Sequence, residues 1–176
     1  MRNKISLSKL ALLMAGCLAV GTALCQERDS SGVKDQTRSK TVASKIVRLN
    51  PPSLPDPAAF GYSQISIVEP GRIAYVSGQV AWRRDGQPVP KDLKEQIKIA
   101  TDNARGALKA LNATPKDIIN ARLLVVNLTP ERLEGLFPTL LEFFEGEAPS
   151  LTGIGVAALA DPDLQVELEF TVRVPD

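Results

Sequence analysis

The sequence predicts an α+β domain, a mixed β-sheet with two helices packed on one face. Three observations carry that prediction. Gln165 to Val174 alternates polar and apolar residues, the period of a strand with one face on a core. Two longer segments repeat apolar residues at three- and four-residue steps, as amphipathic helices do. The other apolar runs are short and separated by turn residues, giving the order β-β-β-α-β-α-β-β without internal repeats.

The N-terminus is a separate problem. Arg2, Lys4 and Lys9 precede a nearly uncharged apolar run from Leu10 to Leu24, and Glu27 and Arg28 restore polarity. The run falls short of the roughly 20 residues a membrane span needs, but it suits a secretory signal. Cleavage after Cys25 would place small residues at the two positions that matter, Cys25 and Ala23. Met14-Ala15-Gly16-Cys17 is similar to a bacterial lipobox and would instead give a lipid anchor through Cys17. An uncleaved helix holding the chain at the membrane is the third alternative. The expected organisation is a signal peptide over 1–25, a polar linker over 26–44 and a folded domain over 45–176. The expected location is the periplasm, soluble or lipid-anchored.

Ile46 to Leu49 reads as a short strand, followed by a stiff loop containing Pro51, Pro52, Pro55 and Pro57. Tyr62 to Val68 and Arg72 to Trp82 read as strands joined in a hairpin by Glu69-Pro70-Gly71. Leu93, Ile97, Ala100, Ala104, Leu108 and Leu111 define a helix over Lys91 to Leu111. Thr114-Pro115-Lys116-Asp117 opens a short helical turn, with a cap, a proline at the first position and an acid at the third. Ala121 to Leu128 is a buried strand. Thr129-Pro130 caps the second helix, where Leu133, Leu136, Phe137, Leu140, Leu141 and Phe144 form the apolar stripe. Pro138 within it predicts a kink or a break. Leu151 to Leu159 and Gln165 to Val174 complete the sheet. Two helices cover one sheet face only, and apolar or aromatic residues such as Tyr75 and Trp82 fall on the other strand positions. Self-association would cover them.

Composition narrows the chemistry. The chain has no histidine, which excludes histidine bases, Ser-His-Asp triads and His-containing zinc sites. Both cysteines lie in the first 25 residues. Without Arg2, Lys4 and Lys9 the 21 basic residues become 18 against 20 acidic, a net charge of −2 with no basic footprint for nucleic acid. No phosphate-binding glycine loop of either common type occurs. Carboxylates, hydroxyls, amides and backbone groups remain. Glu167 and Glu169 share a strand face about 6–7 Å apart, either turned to solvent or lining a cleft where one could activate water. Thr171 and Arg173 fall on the same face. Ser77-Gly78-Gln79 interrupts an apolar strand as a structural bulge or a polar notch. Gly61-Tyr62-Ser63-Gln64 could line a small polar pocket, and Asn103 could cap a carbonyl or face water. Ser150-Leu151-Thr152 ends a helix-to-strand loop, a frequent place for ligand contacts.

In this order, these pieces resemble the Rid family of reactive-intermediate deaminases, also known as the YjgF/YER057c/UK114 family. Gly61-Tyr62-Ser63-Gln64 is similar to its opening motif, with Phe60-Gly61 where Gly-Pro is usual. Val76-Ser77-Gly78-Gln79-Val80 matches its Ser-Gly-Gln strand, and Gln96 and Asn103 match the spaced amides of its first helix. Ala113, Asp117 and Ile118 fit its next turn, and Val166-Glu167-Leu168-Glu169 its last strand. The resemblance spans Lys45 to Val174. It implies a chorismate-mutase-like subunit in a homotrimeric barrel with clefts between subunits. The activity implied is hydrolysis of enamine or imine intermediates to carbonyl products and ammonia, without metal or cofactor. Glu167 would activate the water and Tyr62 shape the pocket. Ser77, Gly78, Asn103, Ser150, Leu151 and Thr152 would bind the small-molecule substrate. Pro149-Ser150-Leu151-Thr152 departs from the family's Pro-Ala-Arg-Thr/Ser, placing Leu151 where an arginine holds the substrate carboxylate. Binding of a different, uncharged small molecule without catalysis is the competing expectation.

Overall fold

The computed structural model of the chain describes residues 45–176, so the expected signal peptide, Cys17 anchor and linker lie outside the described residues. The strands are β1 (Ile46–Leu49), β2 (Ile65–Val68), β3 (Ile73–Gln79), β4 (Ile118–Val126), β5 (Ser150–Val156) and β6 (Val166–Arg173). The helices are α1 (Leu93–Ala110) and α2 (Pro130–Phe144), with short 3-10 turns at Ala58–Phe60 and Pro115–Asp117. Among the described residues no helix is long and apolar enough to cross a membrane.

Strand β6 organises the sheet because its alternation is the cleanest in the chain. Val166, Leu168, Phe170 and Val172 are buried, whereas Glu167, Glu169 and Thr171 are only half-buried. It lies inside a four-stranded sheet of order β3-β6-β4-β5, antiparallel to β3 and β4, with β4 and β5 parallel. The sheet is therefore mixed, as expected. The buried side of β4 (Ala121, Leu123, Val125) continues the apolar face. Both helices pack on that side and leave the opposite face open.

Each helix begins at a side-chain cap: α2 after Thr129, as the sequence predicts, and α1 after Asp92, two residues later than its expected start at Lys91. The Asp92 carboxylate accepts from the Glu95 N–H at 2.9 Å, and the Thr129 hydroxyl from the Arg132 N–H at 3.3 Å. The Thr114–Asp117 capping box also forms. Helix α1 buries Ile97, Ala100, Ala104 and Leu108 as its spacing requires. On α2, Leu136, Leu140 and Phe144 are buried, and Phe143 joins them by packing against Phe144 and Phe170. Leu141, counted in the sequence stripe, is 43% exposed. Pro138 does not divide the segment: one helix runs from Pro130 to Phe144. Each fully buried large side chain contributes about 1.5–3 kcal/mol to the core.

Two sequence expectations need correction. Glu69-Pro70-Gly71 does not close a hairpin, because β2 pairs with β1 in a separate two-stranded ribbon while β3 pairs with β6. The turn instead wraps the Arg173 side chain, which donates to the carbonyls of Pro70 at 3.0 Å and Glu69 at 3.4 Å. A Cβ at position 71 would overlap that guanidinium, so glycine is required there by close approach. Arg173 consequently leaves the polar face that alternation assigned to it. It is buried, 4% exposed, and ion-paired with Asp176 at 3.1 Å. A buried guanidinium is tolerated when most of its N–H groups find acceptors, as they do in this turn.

Candidate functional site

The site is built on the contact between β3 and the start of β6. Their register runs regularly to Val76↔Phe170 and resumes at Gln79↔Leu168, so Ser77 and Gly78 oppose the single residue Glu169. This is a β-bulge, and it bends the strand locally. The Glu167 side chain lies directly over it: a Cβ at Gly78 would overlap the Glu167 carboxylate. The bulge and the polar notch, alternatives in the sequence, are thus one feature. Gly78 leaves room for Glu167.

Glu167 is half-buried, and two effects raise its pKa above the ordinary glutamate value. Burial is the larger and the Glu169 carboxylate the smaller. Glu169 itself accepts from Arg122 Nη1 at 2.8 Å across the β4–β6 pair. Beside this row the open sheet face hollows into a depression of about 630 Å³. Tyr75, Ser77, Asn120, Arg122, Glu169 and Thr171 supply its polar and aromatic lining. Tyr75 is 84% exposed. Ser77 lines the depression and adjoins Gly78 in the bulge, whereas Asn120, Arg122 and Thr171 were not singled out as site residues. Their sequence signal was polar residues at alternate positions in apolar strands, a pattern a solvated strand face shares.

The other candidates fall elsewhere. Asn103 Nδ2 donates to the carbonyls of Val80 and Trp82, both at 2.9 Å. Its amide group is spent on fixing the chain as it leaves β3, so it positions the bulge instead of offering those N–H groups to a substrate. Gln96 acts similarly from deeper in the fold. Its Nε2 donates to Pro90 and Asp163 carbonyls, and its Oε1 accepts from the Gln165 N–H. Tyr62 precedes Ser63, whose N–H bonds the Pro149 carbonyl at 3.2 Å at the entrance to β5. Ser150 shares that end: its Oγ lies 2.9 Å from Ser66 Oγ, and its N–H donates to the same hydroxyl. Thr152 lies on the open face, in register with Arg122 and Glu169. Leu151 pairs with buried Ala121 and packs against the helix-side core, so it lies on the opposite sheet face from Glu167.

The sequence candidates do not converge in one subunit. Ser150 is level with Asn120 and Thr171, four residues along β6 from Glu167 and two strands away. That offset is about 13 Å along the strands and about 10 Å across them. Glu167, Gly78 and Ser77 form one group; Tyr62 and Ser150 form another at the β5 edge. Among the described residues no cluster of three or more His, Cys, Asp or Glu side chains could hold a metal ion.

A mixed sheet roofed by two helices, with a half-buried carboxylate seated on a strand bulge, defines a Rid-type α+β protein. The model of the family described as Endoribonuclease L-PSP matches residues 54–174, and the chain belongs to this family, that of the RidA and YjgF/YER057c/UK114 proteins. It is 33% identical to the RutC family protein YjgH of Escherichia coli over 62% of this chain and 81% of that protein. It is 27% identical to the mitochondrial protein MMF1 of Saccharomyces cerevisiae, covering 72% and 84% of the two chains. The crystal structure of YyfB from Yersinia pestis, a Rid-family protein of unknown function, superposes with a TM-score of 0.69. It is 34% identical over 73% of this chain and 98% of that one.

Proposed function

We propose that this protein hydrolyses reactive enamine or imine intermediates to carbonyl products and ammonia. The observation that carries the reading is the Glu167 carboxylate, half-buried over Gly78 with a raised pKa beside an open depression. A carboxylate whose pKa moves toward the working pH is a better general base, and its half-buried place on the open sheet face leaves it accessible to water. Glu167 would take a proton from the attacking water, and Ser77 and the bulge backbone would border the substrate. The nuclease activity in the family model's description finds little support. The chain has no histidine, and the Glu167–Glu169 face would repel a phosphodiester.

The assembly proposed is a homotrimer whose clefts bring the β5 edge of one subunit, with Tyr62, Ser150, Leu151 and Thr152, to the open face of another. Two features support it: the candidate residues separate within one chain, and apolar groups stay exposed. Val47, Leu49, Ile65 and Ile67 lie on one side of the β1–β2 ribbon, 38–53% exposed, and Ile73 and Tyr75 lie on the open face. A monomer in sedimentation would overturn the trimer.

Glu167→Gln removes the base while keeping the shape, so imine hydrolysis should vanish with assembly unchanged. Equal rates for both proteins would end the assignment. A second reading, binding without catalysis, is favoured by Leu151: a carboxylate finds no cation there. A coupled assay with freshly generated 2-aminoacrylate, run on the parent and on Leu151→Arg, separates the two. Activity only in the variant supports binding without catalysis. For the N-terminus we propose export to the periplasm, with mass spectrometry of the cellular protein as the test. An N-terminal Gln26 marks soluble export, a lipid-modified Cys17 an anchor, and an intact Met1 in the cytosol neither.

A further inference from the structure

Glu167 stands where β6 has lost one of its two neighbours. The last register pair with β3 is Gln79↔Leu168, so Glu167 and Val166 pair only with β4, through Leu124 and Val125. A strand end held on one side opens more readily than one held on both. Yet the Glu167 carboxylate lies over the Gly78 bulge. Another anchor has to keep it there.

Gln165 supplies that anchor, two residues before Glu167. Its backbone N–H donates to Gln96 Oε1 at 2.8 Å, and its carbonyl accepts from the Val126 N–H at 3.0 Å. Its side chain reaches two more elements. Nε2 donates to the Lys91 carbonyl at 2.6 Å, and Oε1 accepts from Arg132 Nη2 at 3.1 Å. Every nitrogen and oxygen of the residue is thus bonded, to α1, β4, α2 and the segment entering α1. Among the described residues Gln165 Oε1 is the one acceptor the Arg132 guanidinium reaches, and the Arg132 Nε is buried without a partner. All these contacts lie within one chain, so they hold whatever a neighbouring subunit covers. We propose that Gln165 is a positioning residue for imine hydrolysis, pinning the start of β6 so that Glu167 keeps its seat over Gly78. The assignment rests on the deaminase reading of Glu167. Asn103 does the corresponding work on the other strand, fixing the chain as it leaves β3. Gln96 and Asn103 stand about 10 Å apart along α1, which is therefore a common support for both strands of the site.

Two measurements on the full-length chain test the inference. Gln165→Met keeps the bulk of the side chain and removes both of its bonds; Arg132→Gln removes the milder one and decides alone if the first variant does not fold. Thr114→Ala, which removes a cap before the start of β4, is the control for general loosening. The first measurement is a carbon-13 NMR titration of the glutamate side-chain carboxyls, with the Glu167 signal assigned from Glu167→Gln. Among the described residues the charged groups beside Glu167 are Glu169 and its partner Arg122, while β3 presents the uncharged Ser77 and Gly78. None of these changes in the variants. A Glu167 released from its seat is better hydrated, so its titration should move down toward the ordinary glutamate range in Gln165→Met, less far in Arg132→Gln, and not at all in Thr114→Ala. The second measurement is hydrolysis of freshly generated 2-aminoacrylate. Gln165→Met should lower kcat about tenfold with KM little changed, because the base moves and the substrate contacts do not. A Glu167 titration that is the same in the parent and in both network variants overturns the proposal, and so does an equal shift in Thr114→Ala. A titration that moves as expected, with no hydrolysis by parent or variants, removes the deaminase and keeps Gln165 as the residue that seats Glu167.

Discussion

Gly78→Ala is the most direct probe of the site, because one methyl group falls where the Glu167 carboxylate already sits. The obstruction is the end of a flexible side chain, not backbone, so Glu167 can rotate away. Holding it off its preferred rotamer costs about 0.5–1.5 kcal/mol. Replacing glycine in a strand by alanine returns about 0.5–1 kcal/mol through the unfolded chain. These offset, and global stability should change by less than about 1 kcal/mol. Activity should not be spared. Moving a base by about 1 Å costs on the order of 100-fold in rate, about 2.7 kcal/mol of transition-state stabilisation. The assay pairs thermal unfolding with kcat/KM for imine hydrolysis in the parent, Gly78→Ala, Glu167→Ala and the double variant. With the Glu167 side chain gone, Gly78→Ala should become stabilising, which exposes the coupling without any need for turnover. A Gly78→Ala protein with parental kcat/KM would refute the reasoning. So would an effect on stability that is the same with and without the Glu167 side chain.

Three further outcomes follow from the same geometry. Because the folded-state pKa of Glu167 is raised, its protonated form favours the folded chain at low pH, and that advantage is lost as pH rises through the folded pKa. Urea unfolding should therefore show Glu167→Gln gaining on the parent as pH climbs from below the ordinary glutamate value of 4.5 toward neutrality; a pH-independent difference contradicts the shift. Gln96→Leu strands two carbonyls and one N–H that the buried amide now satisfies, and should cost about 3 kcal/mol in urea unfolding. A loss under about 1 kcal/mol would mean that water replaces the amide. Asn103→Leu should lower kcat through the displaced β3 exit, with KM little changed; unchanged kcat would show that the bulge holds without it.

Most of the fold was legible because its signals are local. The period of β6, the stripes on α1 and α2, and the caps at Thr114 and Thr129 each depend on a few neighbouring residues and elementary backbone geometry. Motif order carried the family as well. The strand ends were less legible: β4 starts at Ile118, where a bulge breaks the alternation before Asn120, and β3 stops at Gln79 instead of reaching Trp82.

What the sequence by itself determined was which segments are helix and strand, which face of each is apolar, and that any chemistry must rest on carboxylates, hydroxyls, amides and backbone groups. Tertiary structure alone decided which strands pair and which polar groups remain available. Pairing of β3 with β6 set Gly78 under Glu167, and pairing of β4 with β5 turned Leu151 toward the helices. Arg173 and Arg122 have the same side chain on strands of one sheet, yet one is buried in a turn and the other faces the depression. That difference depends on backbone brought together from residues about a hundred positions apart, and no local pattern encodes it.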